Sequence, residues 1–155
     1  MSKLQIILGY IERYFSLIIS IGFFLLVLKY KNSFQFIYNL EFLDKLISIG
    51  AALFAFLLTI LTIIVQSESE SIKRIKAHSG YPRFLRFNRR IVFLFLSTTI
   101  VSVILSFMQH ILKYVNDKAL FILADINTSL FFWATLDSIY FTFLFYVLIM
   151  LDTKK

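Results

Sequence analysis

The sequence predicts an all-α integral membrane protein: a four-transmembrane-helix bundle with both termini in the cytoplasm and a helical hairpin between its second and third spans. Three observations predict it. First, 59% of the 155 residues are hydrophobic and 16% are charged, whereas soluble domains hold roughly 45–50% apolar residues, glycine counted, and roughly 25% charged ones. The mean hydropathy of +0.83 agrees. Second, uncharged runs of about 20 residues recur, the length that crosses about 30 Å of hydrocarbon at the helical rise. Third, the cations crowd into one connection, as they do in cytoplasmic loops.

The spans follow in order. The clearest is 46–65, with neither charge nor proline; 91–112 and 130–151 follow, the last interrupted by Asp137. The first, 4–28, has only fifteen uncharged residues from Tyr14 to Leu28, so it is expected to start near Leu4 with Arg13 reaching toward the headgroups. Glu12 beside it then makes an ordinary interfacial anchor. No small-residue cleavage site follows Leu28, which argues against a removed signal peptide. Segments 29–45 and 113–129 are expected outside. The first carries Tyr30, Phe34, Phe36, Tyr38 and Phe42, an interfacial aromatic belt.

Segment 66–90 carries Lys73, Arg74, Lys76, Arg83, Arg86, Arg89 and Arg90 against Glu68 and Glu70. Placing it in the cytoplasm puts eleven of the 16 basic residues inside, with Lys29, Lys31, Lys45, Lys113 and Lys118 outside. The overall style of the sequence looks bacterial, so an inner-membrane protein is expected. Within the segment, Ile72 and Ile75 beside Glu70 and Arg74 suggest a helix. Ser79-Gly80-Tyr81-Pro82 then predicts a stop and restart, since glycine suits a helix C-cap and proline a first turn. The basic stripe is expected to meet anionic lipid or a cytosolic protein partner, rather than nucleic acid directly.

Inside a bilayer, helices associate through small residues and polar side chains. Ser48, Ala52, Ala55, Thr59 and Thr62 recur at heptad-like spacing on the second span, as a packing face or as an oligomer seam. Thr99, Ser102 and Ser106 line the third, on the face that continues to His110 and Lys113. Asp137 is the one acid deep in a predicted span, read as about 10 Å below its outer end. No cation is expected at that depth, so Asp137 is expected to be protonated and bonded to Ser102 or Ser106, or to face water at an oligomer centre as a pore or switch residue. Asn127-Thr128-Ser129 matches a glycosylation triplet of the kind that arises by chance.

Catalysis and cofactors are not expected. The chain has no cysteine, which excludes disulfides, thiolate ligands and covalent haem. His78 and His110 are expected on opposite sides of the membrane, leaving no metal site. Phosphate-loop, HExxH and nucleophile-elbow patterns are absent from the sequence.

Four spans, two inner termini, short outer segments and one basic hairpin together resemble the membrane subunit of the bacterial Kiwa anti-phage defence system. The resemblance implies a homo-oligomer, a tetramer, that detects phage at the envelope and works with a cytosolic DNA-binding partner. The docking surface would then be the hairpin from Ile72 to Arg90. Two alternatives are a homo-oligomeric ion channel or depolarising effector with Asp137 near the pore, and a small multidrug-type transporter. The latter would need an acid well inside its first span, whereas Glu12 lies near the inner edge.

Overall fold

The computed structural model describes the backbone of residues 3–68, 70–77, 81–111 and 117–152, and the side chains among them except those of 3–13, 38, 70, 71, 74, 75, 83, 110, 111, 117, 118 and 147–152. These residues form five α-helices and one 3-10 helix, with no strand among them. The order is α1 (Lys3–Lys29), the 3-10 helix Lys31–Tyr38, α2 (Leu40–Gln66), α3 (Glu70–Ala77), α4 (Tyr81–Ile111) and α5 (Asp117–Asp152). Leu40–Gln66, Phe84–Gln109 and Ala119–Tyr146 are each long and apolar enough to cross a membrane. Among the described residues, Tyr14–Lys29 pass the same test together with Lys31–Ile37, from which they are bent by 113°, and make a fourth span if the bent pair is one.

The helices do not simply pack as sequence neighbours. α1 packs on α5, α5 on α4, and α4 on α2, while the 3-10 helix touches α1, α5 and α2 and so carries the chain across one end. Ile37 anchors that crossing, buried with Val27, Leu43, Leu105 and Phe121. Ring contacts run along it from Phe23 through Phe34 and Phe36 to Phe42.

Two heptad stripes make the largest seam. α2 buries Leu43, Leu46, Gly50, Leu57, Ile60 and Ile64, and α4 buries Phe84, Asn88, Ile91, Phe95, Thr98, Ser102 and Leu105. Alternating steps of three and four keep such stripes in register along a left-handed crossing. Gly50 sets the closest approach, because a Cβ there would collide with Thr99 Oγ1 and come within 3.3 Å of Phe131. Thr99, singled out from the sequence as a polar lining residue, therefore serves as the surface on which Gly50 rests.

The small-residue stripe of α2 lies on the opposite face. Ser48, Ala52, Ala55, Thr59 and Thr62 are all exposed, which corrects the expectation that they pack the chain's own bundle. On the α2 side, bulky aliphatic residues fill the α2–α4 seam instead, with Gly50 where Thr99 and Phe131 crowd it. The outward hydroxyls are self-sufficient: Ser48, Thr59 and Thr62 donate to the carbonyls of Asp44, Ala55 and Leu58 one turn earlier, which makes them compatible with lipid.

Between the second and third spans, α3 folds back on the bundle. Ile72 is buried beside Ile64, Phe84 and Phe141, and Lys76 Nζ donates to the carbonyls of Val65 and Ser67 at 2.9 and 3.2 Å. A cation on the terminal carbonyls of a helix satisfies orphan acceptors and opposes the negative end of its dipole. The expected stop at 78–80 lies outside the described residues; the restart is at Tyr81, with Pro82 second.

The Gly50 contact yields a test. Gly50→Ala should destabilise the purified protein by about 1–3 kcal/mol, the usual result of overpacking. Adding Thr99→Ala should recover most of the loss in a thermal-unfolding comparison, because it removes the atom that the new methyl group strikes.

Candidate functional site

The least expected geometry lies at the junction of α1, α4 and α5. Arg90 Nη2 donates to Asp137 Oδ2 at 2.7 Å, and Ser16 Oγ donates to Asp137 Oδ1 at 2.5 Å. Asp137 is therefore an acceptor for α4 and α1 at once. Its side chain is 3% exposed and that of Arg90 is 31% exposed. The guanidinium also stands 4.9 Å from the ring centre of Phe87 and 5.6 Å from that of Trp133, within cation–π range. A second bond ties α1 to α5 further along, where Ser20 Oγ donates to the Ser129 carbonyl. Phe23 stacks on Phe132 nearby, at 5.0 Å.

This arrangement overturns the expectation for Asp137. Neither Ser102 nor Ser106 reaches it: Ser102 accepts from Asn127 Nδ2 at 2.7 Å, and Ser106 donates to Asp44 at 3.5 Å. The reason is register. α5 begins at Asp117 and not near Leu130, so Asp137 lies about 30 Å along the helix at 1.5 Å per residue. That is the half of the Ala119–Tyr146 span nearer the connection between α2 and α4, about 14 Å short of Tyr146. α4 likewise begins at Tyr81, which carries Arg90 inside the apolar segment to meet it.

The early start of α5 was hidden by its polar residues, most of which point inward. Asp125, Asn127, Thr128 and Ser129 are buried, while Ile122, Leu123 and Ile126 are exposed. Asn127, at 1% exposure and bonded to Ser102, is no accessible glycosylation acceptor. Asp125 is a buried acid the sequence reading missed. Ser129 Oγ approaches its Oδ1 at 3.4 Å, while its Oδ2 has no hydrogen-bond partner. The recoverable signal was the spacing of Ile122, Leu123, Ile126 and Leu130, an apolar face that runs straight into the span.

The basic residues proposed for docking divide by environment. Arg90 is held by Asp137, and Lys76 caps α2. Lys73 is exposed on α3, Arg86 and Arg89 are exposed on α4, and the side chains of Arg74 and Arg83 lie outside the described residues. So do those of Glu12, Arg13, His78, His110 and Lys113. No cluster of three metal-ligating side chains occurs among the described residues. Chemically, a carboxylate that accepts from an arginine of α4 and a hydroxyl of α1 fastens both helices to α5.

The pair's energetic weight is measurable. Asp137→Asn should cost about 3–5 kcal/mol, since breaking a buried pair leaves an uncompensated charge. Replacing both residues by apolar ones of similar volume should recover most of that loss. Ser16→Ala should cost about 1–3 kcal/mol, the range for losing a hydrogen bond to a charged group. Thermal unfolding of detergent-solubilised variants reads all three.

Comparison with protein families, curated proteins and solved structures finds no match for this chain. Three apolar helices, or four counting the bent pair, and an all-helical architecture therefore describe a helical, multi-pass membrane protein.

Proposed function

We propose that the chain is a non-enzymatic, membrane-embedded sensor or scaffold subunit that oligomerises and docks a cytosolic effector through α3 and the connection around it. The observation carrying this reading is the fixation of α3. An eight-residue helix is too short to be stable alone in water, yet Ile72 sinks into the core and Lys76 clamps the end of α2. Lys73 stands exposed on that fixed platform, with Arg74 next in sequence. A preorganised basic surface binds with less ordering cost than a loose tail.

The exposed stripe from Ser48 to Thr62 supplies the oligomer seam in this reading, since small residues allow close helix approach within lipid. The orientation follows from the distribution of cations, with the basic connection and both termini in the cytoplasm of a bacterial cell. The resemblance to the Kiwa membrane subunit supports a role in anti-phage defence, with a tetramer and a DNA-binding partner. A channel lined by Asp137 has weaker support, because Arg90 and Ser16 occupy that carboxylate from within one chain.

Native mass spectrometry of the complex, extracted gently from its own host, tests the reading. A homo-oligomer carrying a stoichiometric cytosolic protein is expected. Lys73→Glu with Arg74→Glu should remove that protein while leaving the oligomer intact. A bare homo-oligomer, or a partner retained fully by the double variant, would contradict the proposal.

A further inference from the structure

The outward face of α4 runs from lipid into charge. Phe93, Ile100, Ile104 and Phe107 are 67%, 50%, 51% and 66% exposed, at steps of seven, four and three that mark one side of the helix. Steps of four and three in the other direction reach Arg89 and Arg86, both exposed. At 1.5 Å per residue they stand about 6 and 10 Å beyond Phe93. The apolar segment itself begins at Phe84, so both arginines fall within its first two turns, at the edge of the bilayer.

Their charge is not balanced among the described residues. Arg90, one residue on, is neutralised by Asp137, whereas neither Arg86 nor Arg89 has an ion-pair or hydrogen-bond partner among the described residues. Two unpaired guanidinium groups directly above a lipid-facing apolar stripe call for an anion that carries its own hydrocarbon. A phosphodiester headgroup fits: its oxygens accept guanidinium N–H groups in pairs, and its acyl chains would lie along Phe93 and Ile100. We propose that Arg86 and Arg89 form a binding site for the headgroup of an anionic phospholipid. The site depends on α4 crossing the bilayer and not on the docking of a partner at α3.

The test uses the full chain in nanodiscs of phosphatidylcholine containing a minor share of phosphatidylglycerol, with retained lipid counted by native mass spectrometry. The wild type should retain phosphatidylglycerol well above its share. Arg86→Gln with Arg89→Gln should lower that enrichment by about 30-fold, the combined effect expected of two juxtamembrane cations. Lys73→Glu should leave it unchanged. The wild-type comparison stands even if the double variant folds poorly. Equal retention of the two lipids by the wild type would overturn the proposal, as would undiminished enrichment in a folded double variant. Displacement of the lipid by millimolar inorganic phosphate would assign the arginines to a free anion instead. Loss of a bound protein without loss of lipid would assign them to protein docking.

Discussion

The ion pair between Arg90 and Asp137 is the constraint on which the rest of the arrangement depends. A charge alone within a bilayer costs about 2.5–3.5 kcal/mol on insertion scales, so each of these residues makes the other tolerable. The pair fixes the axial register of α4 against α5. Ser16, as the second donor to Asp137, extends that register to α1, which packs on α5 and the 3-10 helix but makes no comparable seam with α2 or α4. Without Ser16 and the Ser20 bond to the Ser129 carbonyl, α1 would hold to α5 mainly by van der Waals contact, because lipid offers no hydrophobic drive for association.

Around this node the helices use two kinds of seam. α2 and α4 interlock mostly apolar residues in heptad register, with Gly50 against Thr99 as the tight point. α5 is more polar: Asn127 bonds Ser102 of α4, and Asp137 bonds Arg90 and Ser16. The polar seam specifies position and the apolar seam supplies contact area. Both leave the small-residue face of α2 and the arginine-capped face of α4 directed outward, where oligomer contacts and lipid can use them without disturbing the core.

The membrane class and the principal apolar helices were legible because hydropathy over 20 residues is a coarse signal that packing does not alter. The restart at Tyr81-Pro82 was similarly local, and α4 does begin at Tyr81. The site was less legible because it depends on axial register between helices. Asp125, Asn127, Thr128 and Ser129 read as an aqueous segment when taken by composition, yet all four are buried on a continuous helix. Starting α5 near Leu130 placed Asp137 in the wrong half of its span and hid Arg90 as a partner. The stripe from Ser48 to Thr62 misled for a related reason: its periodicity is real, but periodicity cannot distinguish the face that meets α4 from the face that does not.

The most direct test of this account is a rotational-echo distance measurement in lipid bilayers between 15N in the arginine guanidinium groups and 13C in the aspartate carboxyl groups, assigned with Arg90→Gln and Asp137→Asn. The account predicts a direct-contact coupling in doubly labelled protein that either substitution removes and that vanishes when singly labelled chains are mixed. A contact that persists in the mixed sample would place Asp137 against the arginine of a neighbouring copy. Absence of the coupling altogether would leave the three helices without their common fastener and contradict the arrangement.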